Sequence, residues 1–137
     1  MFKIFFRKRV IKRRSVRVGR TKKISDFDKS EVKSLRHKIH ERLDHYKNYY
    51  YEHGIDLNWG RVSFKNNKRS WGSCSSKKNL NFNIKMRHLD HELFDYIIIH
   101  EMCHLVHMNH GVEFWKLVSL AVPDYLDKRN QLRNVRI

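Results

Sequence analysis

His100, Glu101 and His104 stand in the order H-E-x-x-H, and His110 follows six residues later. On a helix, residues four apart share a face, so His100 and His104 can offer two imidazoles one turn apart. Two such nitrogens fit one tetrahedral zinc ion at bond lengths of about 2.0–2.1 Å. His110 lies past the expected helix end, where the chain must turn back to supply a third nitrogen. Asn109 and Gly111 tolerate such a turn. Three histidines leave a fourth position open, the mark of a catalytic rather than a structural zinc site. Glu101, one step round from His100, can reach a metal-bound water without being a ligand. The chemistry this allows is hydrolysis. Zinc brings the pKa of bound water to about 7 and polarises a carbonyl. Glu101 takes the water's proton as general base and delivers it to the leaving amine as general acid.

The chain has ten histidines, so coincidence has to be weighed. Composition alone produces H-E-x-x-H about 0.03 times in such a chain, and about 0.002 times with the third histidine in place. The pattern is therefore read as a site for one Zn2+ ion held by His100, His104 and His110, with Glu101 catalytic, rather than as a set of buried core histidines. His107, one turn from His104, is a competing ligand in principle, but packing or solvent contact is the plainer role. Cys74 and Cys103 read as small buried thiols. The pairs His37/His40 and His88/His91 read as solvated. Phe114 and Trp115 read as core residues bracing His110. Tyr125 and Arg69 are candidates for stabilising an oxyanion.

These side chains need a scaffold. Residues 2–6 and roughly 10–18 read as two short strands of a basic hairpin. Asp28 and Glu31 form a capping-box pattern, flanked by Phe27 and Val32 as a hydrophobic staple. Val32, Leu35, Ile39, Leu43, Tyr46 and Tyr50 then recur at three- and four-residue steps, which predicts an amphipathic helix stopped by Gly54. Residues 61–64 and 80–85 read as strands, joined by a connection that carries Trp71-Gly72-Ser73-Cys74-Ser75. Asp90 caps a second helix running to about Met108, apolar nearly all round and so expected at the centre. A helix over residues 114–122 and a short one from Asp124 to Leu132 complete the chain. The strand at Leu80, Asn81, Phe82 and Asn83 precedes the site helix directly. Its edge is the expected substrate-binding element, pairing with a peptide held extended over the metal.

A length of 137 residues suits one domain, taken as 1–137 with residues 1–23 as a basic N-terminal region. Formal charge is +16. Residues 1–23 hold eleven Lys or Arg and no acidic residue. That favours polyanionic partners, with DNA or RNA bound through the N-terminal region as the specific possibility. Two cysteines make no disulfide framework. The apolar stretch at residues 93–108 is broken by Asp95, His100, Glu101, His104 and His107, so it is no membrane span. A cytoplasmic protein with no membrane partner is expected.

Trp71-Gly-Ser-Cys-Ser75, Leu80-Asn-Phe-Asn83, the stretch from His100 to His110, and Phe114-Trp115 resemble the YgjP-like metallopeptidase family. That family is similar to the SprT-like zinc proteases, which act on proteins crosslinked to DNA. The resemblance covers about residues 60–126. It implies an α+β, zincin-like small domain, with a short, mostly antiparallel sheet packed against the active-site helix and flanking helices. It also implies a protein or peptide substrate, ligands at His100, His104 and His110, and catalysis by Glu101. Metzincins share the three-histidine spacing but have glycine at the place of His107, which argues against that group. The alternatives are a SprT-like protease acting on DNA-bound proteins, a zinc-bearing nucleic-acid-binding module without turnover, and a metal-dependent hydrolase of another bond. Oligomeric state is not legible.

Overall fold

The structure, a computed structural model, describes residues 2–5 and 22–137. In chain order the elements are β1 (Phe2–Phe5), α1 (Lys29–Glu52), β2 (Val62–Lys65), β3 (Ser70–Cys74), β4 (Leu80–Asn83), α2 (His91–Cys103), α3 (Val112–Ala121) and α4 (Tyr125–Asn134). Short 3-10 turns at Ile24–Asp26 and Ile84–His88 precede α1 and α2. This is the α+β architecture expected, a small sheet with helices packed beside it. The expected strand at residues 10–18 lies outside the described residues.

Asp28 caps helix α1 as its sequence predicts, but Glu31, expected to complete a capping box, turns towards Arg87 instead. The Asp28 carboxylate accepts from the backbone N–H groups of Ser30 and Glu31, at 2.6 and 3.3 Å. Glu31 approaches Arg87 at 3.9 Å. The buried stripe is Leu35, Ile39, Leu43 and Tyr50. Gly54 ends the helix with φ +80°, and the N–H groups of Gly54 and Ile55 close back on the carbonyls of Tyr51 and Tyr50. Only glycine adopts that left-handed backbone without steric cost.

Helix α2 is the centre of the molecule. Every residue from Leu93 to Cys103 is buried. A carboxylate on a helix buried all round is costly unless it is paired, and Asp95 is paired. Arg42 of α1 donates to it through two nitrogens, at 2.9 and 2.7 Å, and the Tyr46 hydroxyl donates at 2.8 Å. This fork fixes the rotation of α2 relative to α1. Tyr50 adds a second tie, its hydroxyl donating to the Leu117 carbonyl at 2.8 Å and lying 3.4 Å from Cys103 Sγ. The helix stops at Cys103, five residues short of the expected end. Leu105 and Val106 donate instead to the carbonyls of Met102 and Cys103, tightening the chain into turns. The apolar rhythm continues through this segment, but the chain must leave the helical path to bring His110 back towards His100.

The sheet order is β1-β3-β4-β2. Pairs β1/β3 and β3/β4 are antiparallel, and β2/β4 is parallel. Two findings correct the sequence reading. The stretch carrying Trp71 and Gly72, expected as a connection, is strand β3. Strand β4, expected to offer a free edge to substrate, lies inside the sheet. Leu80, Asn81 and Phe82 pair with β3 on one side and with β2 on the other, and Asn83 pairs with Lys65. With its backbone groups consumed by two ladders, Leu80–Asn83 cannot add a peptide strand. Leu80 and Phe82 are core residues. The Asn83 amide donates to the carbonyls of Asn67 and Ser70, at 2.8 and 2.9 Å, so it holds a turn rather than a ligand. Among the described residues no helix is long and apolar enough to cross a membrane.

Candidate metal centre

His100 lies in the last turn of α2, His104 caps that helix, and His110 follows the turns. The three Nε2 atoms converge. His100 to His110 is 3.1 Å, His104 to His100 is 3.2 Å, and His104 to His110 is 3.0 Å. His104 Nδ1 lies 2.9 Å from the His107 carbonyl oxygen, to which it donates. A neutral imidazole carries one N–H, so the His104 Nε2 presents a lone pair to the centre. The observed separations are close to the edge of a tetrahedron with bonds of about 2.0–2.1 Å, which is about 3.3 Å. A cation suits three converging imidazole nitrogens better than hydrogen bonding among them.

Protonation does not rescue the cluster. Burial, then the neighbouring His104 and His110, then Arg129, hold His100 well below the ordinary histidine range. His104 is lowered to about 4, chiefly by burial. His110 is lowered by burial and by Arg129. Neutral imidazoles are the form that binds a metal. His100 and His104 are buried while His110 is exposed, so the cluster opens to solvent on the His110 side.

Aromatic rings hold this geometry. Phe114 stacks on His104 at 4.4 Å between centroids, and Trp115 stacks on His110 at 5.8 Å. Tyr125 stacks in turn on Trp115 at 4.9 Å, and the Arg129 guanidinium lies 5.2 Å from the same indole. Phe114 and Trp115 therefore brace the histidines, as their sequence position suggests. Tyr96, one turn before His100, approaches His100 Nδ1 with its hydroxyl at 3.5 Å and was not singled out by its sequence. His107 reaches the cluster through its carbonyl.

Glu101 has no solvent exposure, and neither carboxylate oxygen has a hydrogen-bond partner among the described residues. Burial pushes its pKa well above the ordinary glutamate value. An orphaned carboxylate is costly to a fold, and such local costs concentrate at functional sites. Its nearest constraint is Gly72 of β3. A Cβ placed on Gly72 would lie 2.9 Å from Glu101 Cγ, 3.1 Å from its Oε1 and 3.2 Å from the Asn81 carbonyl oxygen. The carbonyl belongs to a paired strand and cannot retreat. Gly72→Ala is expected to lower stability by about 1–3 kcal/mol, the usual cost of overpacking, and to displace Glu101. Urea denaturation of parent and variant measures the first effect. An unchanged midpoint would mean that the strand and helix have room the structure does not show.

The fold is that of small metallopeptidases. It is similar to the crystal structure of the metallopeptidase zymogen of Pyrococcus abyssi abylysin, with a TM-score of 0.59 and 22% identity, covering 69% of this chain and 90% of that one. It is also similar to the metallopeptidase zymogen of Methanocaldococcus jannaschii jannalysin, with a TM-score of 0.54 and 24% identity, covering 69% and 91%. A search of curated proteins found no match. The family model of the YgjP-like metallopeptidase domain matches residues 5–135, and the chain belongs to that family.

Proposed function

We propose that this chain is a zinc-dependent peptidase that hydrolyses peptide bonds in protein or peptide substrates. The observation that carries the reading is the convergence of three Nε2 atoms within 3.0–3.2 Å at the end of the helix that bears Glu101. His100, His104 and His110 would hold one zinc ion. Bound zinc supplies Lewis acidity, polarising a scissile carbonyl and making water acidic near neutral pH. The protein's own part is proton handling and position. Glu101 receives a proton from the attacking water at its carboxylate and passes it to the departing amine. Burial disfavours the charged carboxylate and so raises its proton affinity, in the direction that favours accepting the water's proton. The His104–His107 hydrogen bond fixes the tautomer that faces the ion. Phe114 and Trp115 hold His104 and His110 against reorientation. The +16 charge favours acidic substrates or proteins lying on nucleic acid.

The purified protein is expected to cleave an unfolded substrate such as β-casein. Dipicolinate, a chelator, should remove that activity, and one equivalent of zinc should restore it. Cleavage that persists in metal-free protein, with zinc absent by elemental analysis, would refute the reading.

A further inference from the structure

Among the described residues the outer strands of the sheet are β1 and β2, and without β1 the two edges open to an extended peptide would be those of β2 and β3. Strand β2 is separated from β3 by β4. Strand β3 is the one whose Gly72 lies against Glu101. The sheet edge beside the metal centre is therefore the outer edge of Ser70–Cys74. That edge is taken. β1 runs antiparallel along it, with Phe2 opposite Cys74, Lys3 opposite Ser73 and Phe5 opposite Ser70. Its register is irregular between Lys3 and Phe5, and among the described residues it pairs with no other strand.

A second observation points the same way. A general base must meet water and substrate, yet Glu101 is wholly enclosed in this conformation. The working form has to differ near Glu101. Among the described residues β1 is held at that edge by one short, interrupted ladder, so it is the strand most easily displaced there.

We propose that β1 is an intramolecular occupant of the substrate edge. Phe2–Phe5 lies where an extended stretch of substrate pairs with β3, and it holds the protein latent until displaced. The proposal rests on the peptidase reading and adds its regulation. An in-chain strand competes at an effective concentration in the millimolar range, so a free peptide pairs with β3 only when β1 is out.

The test uses the full chain in three forms, each also made with Glu101→Gln so that the probe is bound rather than consumed. Lys3→Pro/Ile4→Pro weakens β1, because successive N–H groups point to opposite sides of a strand and one of the two lost must face β3. Phe5→Cys/Ser70→Cys, oxidised, pins β1 to β3, and its reduced form is the control. The probe is fluorescein-labelled β-casein, read by anisotropy. If the open edge is populated about one time in ten, the proline variant binds about tenfold tighter than the parent. The oxidised cross-link binds more weakly than its own reduced form, and with Glu101 present hydrolysis follows the same order. Should the proline variant fail to fold by circular dichroism, the oxidised and reduced pair decides alone. Equal binding across the forms overturns the proposal. Binding that changes as described, with no hydrolysis in any form, supports the occupancy and overturns the peptidase reading.

Discussion

Glu101→Gln is expected to retain its metal and to lose about a thousandfold in turnover, since positioned general acid–base groups contribute roughly 10²–10⁴. The substitution keeps the shape of the side chain and removes only its ability to hold and release a proton. His100, His104 and His110 are untouched, so zinc content by elemental analysis should match the parent. A second effect runs the other way. In the metal-free protein Glu101 is buried without a partner, and burial raises its pKa well above the ordinary value of 4.5. The folded protein therefore holds that proton to higher pH than the unfolded chain does. Stability from this group is fully present below about 4.5 and is lost as pH rises towards the folded-state value. Glutamine has no proton to lose. Metal-free Glu101→Gln should thus unfold at a higher temperature than the metal-free parent, by a margin that widens as pH rises above about 4.5. Parental turnover in the variant would remove Glu101 from the mechanism. Loss of zinc would show that the carboxylate helps to hold the ion.

Much of this was legible in the sequence, and the reasons for the rest are physical. Asp28 and the stripe from Leu35 to Tyr50 announce α1 because capping and three-to-four periodicity are local properties. The H-E-x-x-H pattern is equally local, as both histidines need only helical spacing to share a face. β3 was hidden because all five of its residues are buried, which erases the in–out alternation that marks a half-exposed strand. Its Gly72 and Ser73 also read as turn residues. Gly72 is required by Glu101, a residue on another element, and no local pattern carries that requirement. Strand pairing is non-local in the same sense. Nothing within Leu80–Asn83 says that β2 and β3 occupy both its edges. The Arg42–Asp95 fork joins residues 53 apart in sequence. The apolar character of α2 predicts its burial but not which cation neutralises its carboxylate.

His104→Ala should abolish activity by emptying the site. Substitutions of groups that merely orient a ligand cost about 10–100-fold in metal affinity, so deleting a ligand should cost more than about a hundredfold. His104 is the most informative of the three. It is fully buried, stacked on Phe114, and fixed by the His107 carbonyl, so solvent cannot replace its nitrogen without disturbing the ring stack. Zinc titration followed by equilibrium dialysis measures the loss. The metal-free variant should also differ in its pH dependence. In the fold the His104 pKa is lowered to about 4, while an unfolded histidine titrates near 6.5. Between those values the unfolded chain binds the proton that the folded protein refuses. Stability from the neutral ring is present above about 6.5 and falls away as pH drops towards 4. The metal-free parent should therefore lose stability across that window more steeply than His104→Ala, which has no such group, with urea midpoints as the readout. Identical slopes would mean that His104 already accepts its proton freely in the folded state. The three nitrogens would then be a hydrogen-bonded cluster rather than lone pairs awaiting a metal.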